Sequence, residues 1–109
     1  IAILVLYSAW NLLREAVDVL LEGAPGHIDV DEVRDSIMAA EGVLAVHDLH
    51  VWTITSGLLA LSCHVVARDG ASRRALLKSL NELLEERYGI HHTTLQIEPE
   101  DFGVCDTCR

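Results

Sequence analysis

His47, His64 and Glu98 offer two imidazole nitrogens and a carboxylate, a donor set that suits Zn²⁺ and similar divalent ions. The two histidines lie in adjacent runs, 46–55 and 58–67, that read as β-strands joined by Ser56-Gly57, a hairpin turn of the two-residue kind. With Ser56 and Gly57 as the turn residues, Thr55 opposes Leu58 and strict alternation follows. It puts His47, Leu49, Val51 and Thr53 on one face with Ala60, Ser62, His64 and Val66. His47 then opposes Val66, with His64 as its diagonal neighbour. The other face holds Trp52, Ile54, Leu59, Leu61, Cys63 and Val65, a greasier set suited to packing against helices; Asp48 and His50 alternate onto it. In a third run, 92–98, Leu95 and Ile97 belong with the greasy face and Glu98 with the histidines, given a strand order that brings it near. The bland alternative is that each His is a solvated or hydrogen-bonded strand residue.

A second constellation closes the chain. Cys105-Asp106-Thr107-Cys108 is a CxxC pair whose thiolates can chelate one soft or borderline ion, with two more ligands needed to complete a tetrahedron. His91 or His92 could supply one of them. The competing readings are an unliganded tail and a redox pair. A redox pair of the thioredoxin type sits at a helix N-terminus that lowers its thiol pKa, and no such element precedes this one. Cys63 points to the greasy face and reads as a small buried hydrophobe. No Ser-His-Asp order, glycine-rich phosphate loop or HExxH helix is present, so the sequence reads as a binding domain and not an enzyme.

The elements that must position these residues follow from periodicity and caps. Residues 1–22 read as a helix, with Leu6, Trp10, Leu13, Val17 and Leu20 at three-to-four spacing and Gly23-Ala24-Pro25-Gly26 as its stop. Its opening, Ile1 to Leu6, is apolar on every side, and Tyr7 and Trp10 follow before the first charge at Arg14. That is how a membrane helix leaves a bilayer, although the apolar part falls well short of the ~20 residues a span needs. An amphipathic helix packed on its own domain is the alternative. Asp29 and Glu32 form a capping box for a short helix carrying Val33, Ile37 and Met38 and ending at Gly42. Ser72 caps a longer one with Leu76, Leu77, Leu80, Leu83 and Leu84 along one face and Gly89 at its end. After a leading helix the order is helix, strand, strand, helix, strand: an α+β, ferredoxin-like two-layer sandwich with order α-β-β-α-β.

Composition bounds the partners. The 109 residues give room for one small domain, and half of them are hydrophobic, which argues against a disordered chain. A net charge of −9 with only eight Lys and Arg disfavours nucleic acid and anionic membrane surfaces. No signal peptide is visible, and three cysteines fit a reduced setting in which a CxxC pair binds metal or cycles redox.

Taken together, Glu41-Gly42-Val43, the run His47-Asp48-Leu49-His50-Val51-Trp52, Ser62-Cys63-His64-Val65, Tyr88-Gly89-Ile90-His91 and Leu95-Gln96-Ile97-Glu98 resemble one known domain. It is the cytoplasmic C-terminal domain of cation diffusion facilitator transporters, above all of their zinc-transporting branch. The stretch 11–25 is similar to that family's exit from its sixth and last membrane helix. The resemblance covers nearly the whole chain. It implies a proton-coupled divalent-metal efflux transporter (Zn²⁺, with Cd²⁺ or Co²⁺ as alternatives) that forms a homodimer in the cell inner membrane. Its cytoplasmic domains would bind metal and stabilise or regulate the dimer. The division it implies is 1–25 as the cytoplasmic end of the last transmembrane helix and linker, 26–99 as the ferredoxin-like metal-binding and dimerisation domain, and 100–109 as a tail. The partners it implies are a second copy, the transmembrane domain of the same transporter, and divalent ions. Carried over by position, its metal ligands fall on His47, His64 and Glu98, and a second set, known from animal zinc transporters, on His91, Cys105 and Cys108. Some bacterial members place further histidines in the second helix and the last strand; here leucines or Lys78, and Gln96, stand there. The transport site of Asp and His within the membrane lies outside these residues. A soluble metallochaperone and a small-molecule-sensing domain of the same fold are the rival readings.

Overall fold

A computed structural model describes residues 1–21, 26–55 and 57–102. The elements are α1 (Ala2–Leu20), α2 (Val30–Met38), β1 (Val43–Thr55), β2 (Leu58–Ala67), α3 (Arg73–Tyr88) and β3 (His92–Glu98), with a short 3₁₀ turn at Glu100–Phe102. The three strands form one sheet in the order β1-β2-β3. β1 and β2 are an antiparallel hairpin, while β2 and β3 run parallel and are joined through α3, the long connection that parallel neighbours require.

The caps explain where the helices begin and end. The Asp29 carboxylate accepts from the backbone N–H of Asp31 and Glu32, and the Ser72 hydroxyl accepts from that of Ala75, so each satisfies donors a helix start leaves free. Gly89 adopts φ 66° at the end of α3, and the N–H of Ile90 reaches back to the carbonyl of Leu84, a left-handed cap that glycine adopts without a Cβ penalty. Val33 and Ile37 of α2 and Leu76, Leu80 and Leu84 of α3 are buried against one face of the sheet. Met38, grouped by periodicity with the buried residues of α2, is 40% exposed. Arg87 of α3 donates to the Ser36 hydroxyl of α2, which also bonds the Tyr88 hydroxyl at 2.6 Å, tying the two helices together.

The hairpin departs from strict alternation. Thr55 does oppose Leu58, but β1 carries one extra residue between Thr53 and Thr55 and another between His47 and His50. A one-residue slip turns every subsequent side chain to the opposite face. After the first slip, Val51 and Thr53 pair with Leu61 and Leu59 on the helix side, and Trp52 pairs with Ala60 on the open side, the reverse of what alternation from the turn predicts. Leu49 and Val51 are buried in the core, while Ile54, expected there, is 43% exposed. The second slip turns the strand back. His47 therefore lands on the open face as expected, but directly opposite His64 and not Val66. His50, expected on the core side, pairs with Ser62 on the open face.

α1 buries none of its side chains, and Leu4, Leu6, Tyr7, Trp10, Leu12 and Leu13 are each more than half exposed. No helix among the described residues is long and apolar enough to cross a membrane.

Candidate metal centre

Each strand contributes one residue to a cluster on the open face. β1 places His47 opposite His64 of β2, and their rings meet edge to face at 4.8 Å between centroids. β3 runs parallel beside β2, with Gln96 opposite His64 and Glu98 opposite Val66. From there the Glu98 carboxylate reaches both rings. Its Oε2 lies 2.7 Å from His47 Nε2 and its Oε1 2.9 Å from His64 Nδ1. Gln96 donates its side-chain N–H to the same Oε1 at 3.1 Å.

Glu98 is 3% exposed, the single buried charged residue among those described. Burial alone would raise its pKa, but hydrogen bonds from His47 and His64 and their positive charge outweigh that, and the carboxyl is held below the ordinary glutamate value. An ionised carboxylate, itself shielded from solvent, is thus held between two imidazoles. The account of His47 is incomplete: its Nδ1 is buried with no hydrogen-bond partner among the described residues, a state that costs on the order of 1–3 kcal/mol.

This donor set fits a divalent ion. One ligand atom from each of His47, His64 and Glu98 can be chosen so that all lie within 4.8 Å of one another. Ligands on one tetrahedral zinc ion stand roughly 3.5 Å apart, given bonds of about 2.0–2.2 Å, so the three need only a small inward movement. Two nitrogens and one oxygen also leave a coordination position for a further ligand.

Asp48, expected on the helix side of the sheet, and Gln96, expected on the open face but given no role, both border the site. Asp48 is the one non-glycine residue with a left-handed backbone among those described, φ 55°, at the second slip in β1. Its Oδ1 lies 2.9 Å from His50 Nε2 and its Oδ2 3.8 Å from His64 Nε2. The hydrogen bond from His50 leads the effects on its carboxyl; together with the charges of His50, His64 and His47 it outweighs burial and holds the pKa below the ordinary aspartate value. Asp is among the few residues that tolerate this backbone region, a signal too weak to find the bulge from sequence. Gln96 had a plainer one: it lies two residues before Glu98, hence on the same face of the strand.

The second predicted set is not assembled among the described residues. His91 precedes β3, is exposed, and has its Nδ1 3.4 Å from Glu85; it does not belong to the cluster of His47, His64 and Glu98. Cys105 and Cys108 lie outside the described residues. Cys63 is buried on the helix side, and burial pushes its thiol up to about 12, so it is a neutral core residue.

Comparison with known proteins gives these residues a family context. The chain is 45% identical over 104 residues to the cadmium, cobalt and zinc/H⁺-K⁺ antiporter of Bacillus subtilis (strain 168), an alignment covering 92% of this chain and 33% of that protein. It is 36% identical over 110 residues to the human proton-coupled zinc antiporter SLC30A2, covering 99% of this chain and 30% of that one. The chain thus spans about a third, or less, of the length of the curated relatives it matches. Among solved structures, the metal-bound C-terminal domain of the CzcD transporter from Cupriavidus metallidurans aligns with a TM-score of 0.62 at 38% identity, over 65% of this chain and 99% of that one. The model for the cytoplasmic domain of cation efflux proteins matches residues 25–100, from the start of the two-layer body to just past Glu98, and by that match the chain belongs to the cation efflux family.

Proposed function

We propose that this chain is the regulatory metal-binding and dimerisation domain of a proton-coupled divalent-metal efflux transporter, and that His47, His64 and Glu98 are its principal ligands. The observation that carries this reading is Glu98, a buried carboxylate bridging two imidazoles on the helix-free face. A purely structural strand would bury an apolar residue there at lower cost.

In the absence of an ion the chain's own groups hold the site together. Glu98 keeps both rings turned inward, and Gln96 fixes the carboxylate. A divalent cation bound there would replace the imidazole hydrogen bonds to Glu98 with bonds to itself and link all three strands. Zn²⁺ suits the nitrogen-rich set best, and Cd²⁺ and Co²⁺ are the nearest alternatives. Cys105, Cys108 and His91 are proposed as a second set, and residues 1–25, 26–99 and 100–109 as membrane-helix end with linker, metal-binding body and tail. The exposed apolar surface of α1 supports an origin at the cytoplasmic side of the cell inner membrane.

Calorimetry with Zn²⁺, Cd²⁺ and Co²⁺ on the whole chain tests the ligands. His47→Ala/His64→Ala is expected to abolish the principal binding event and Cys105→Ser/Cys108→Ser to remove a separate one. Absence of zinc binding by the unsubstituted chain would sink the metal reading, and full binding by both variants would sink the ligand assignment. Sedimentation with and without zinc tests the dimer, and a monomer under both conditions counts against it.

A further inference from the structure

The principal site leaves unexplained why β1 carries a left-handed aspartate in its middle. Asp48 sits at φ 55°, at the slip that lets two β1 residues oppose one residue of β2. The conformation is unfavourable for a residue with a Cβ. It places the Asp48 carboxylate beside the ring of His64, on the side away from Glu98. Glu98 Oε1 faces His64 Nδ1 at 2.9 Å, and Asp48 Oδ2 faces His64 Nε2 at 3.8 Å. The other oxygen of Asp48 is held by His50 Nε2 at 2.9 Å, which orients the carboxylate and leaves Oδ2 directed at His64.

From this geometry we infer that Asp48 is a positioning residue for the metal centre: it accepts a hydrogen bond from His64 Nε2–H and so presents His64 Nδ1, unprotonated, to the ion. The inference rests on the proposed metal site and assigns a role to a residue outside its ligand set. A neutral imidazole carries one proton, and the hydrogen bond made by one nitrogen decides which nitrogen is free to ligate. Nδ1 is the nitrogen that meets Glu98, and Nε2 the one that faces Asp48. At 3.8 Å the contact to Asp48 is longer than a hydrogen bond, and the inferred role requires it to shorten once an ion takes Nδ1 and confines the proton to Nε2. His50, two residues along the same strand, serves the arrangement by orienting Asp48.

Two explanations of the aspartate differ in outcome. If Asp48 serves only to make the bulge, glycine at that position does the same with less strain, since glycine adopts positive φ freely. If its carboxylate serves His64, glycine keeps the bulge and loses the role. Asp48→Gly in the whole chain is therefore expected to retain the thermal midpoint of the metal-free protein while its zinc affinity, read by competition with a chelating dye, falls about 10–100-fold, the usual effect of removing the partner of a ligating histidine. Should the glycine variant melt lower, Asp48→Asn takes its place. Asn also visits this backbone region but carries no charge, and the same direction of change is expected.

Long-range ¹H–¹⁵N spectra of the zinc-loaded wild type give an independent readout. They are expected to show the His64 proton on Nε2, in slow exchange, with that exchange faster in Asp48→Gly. Unchanged zinc affinity in a folded Asp48→Gly, or a His64 proton on Nδ1 in the loaded protein, overturns the inference and leaves the metal site standing. Absence of zinc binding in the wild type overturns the site itself, and with it this role for Asp48.

Discussion

Glu98 shows how one residue can define a site that its neighbours in sequence do not mark. It is flanked by Ile97 and Pro99 in the chain, yet its contacts come from His47 and His64, 51 and 34 positions away by number. Its depressed pKa has a consequence for stability in the metal-free protein. A carboxyl whose folded pKa lies below its unfolded value stabilises the fold fully above the ordinary glutamate range. That contribution is lost as pH falls through the folded value. Urea unfolding of the metal-free protein is expected to show stability dropping on acidification below the ordinary glutamate range, with a shallower drop in Glu98→Gln. Equal slopes in the two proteins would mean that the pairing with His47 and His64 contributes nothing to the pH dependence. Much of this residue-level picture was legible in the sequence, because a His/His/Glu set is chemically distinctive whatever its surroundings. Asp48 was not, since its role depends on a backbone conformation that no local pattern announces.

At the scale of elements, the helices followed their sequence signals closely. Leu76, Leu80 and Leu84 are the buried face of α3, and Ser72 and Gly89 bound it. Gly89→Ala is expected to cost about 1 kcal/mol or somewhat more in chemical denaturation, because alanine in the left-handed region is strained; a neutral effect would show that the helix end relaxes into another cap. The hairpin was harder. Alternation counted from the turn places Val51 on the open face and Trp52 in the core, and both are reversed by the extra residue between Thr53 and Thr55. His47 was placed on the correct face because the second extra residue undoes the first. The register, unlike the face, was wrong: two slips of one residue move the partner of His47 from Val66 to His64 and convert a diagonal approach into direct contact.

At the scale of the whole molecule, the chain divides into a packed body and a helix that buries no residue and touches the body chiefly at β1. The core runs from α2 through Ile90 and on to the partly buried Leu95 and Ile97, and it includes no residue of α1. A chain beginning at Gly26 is therefore expected to melt within a few degrees of the full one and to stay soluble at higher concentration, since it lacks the exposed apolar surface of α1. A fall of ten degrees or more on removing α1 would show that the helix belongs to the body. The parallel pairing of β2 and β3 is also a whole-molecule property. It takes α3 to carry the chain from one end of the sheet back to the other, and only then does Glu98 come level with Val66, beside His64.

Composition, helix caps and hydrophobic periodicity determined by themselves the element order and the core of α3, and residue types alone singled out His47, His64 and Glu98 as a candidate donor set, because each of these depends on residue type and local spacing. The tertiary structure decided that β1 slips its register three times, that the His47 and His64 rings meet edge to face, that Glu98 is buried against both and that Asp48 reaches the far side of the His64 ring. Strand register and bulges arise from pairing across the sheet and packing beneath it, so they are set by contacts between distant segments and leave no periodic trace in either segment alone.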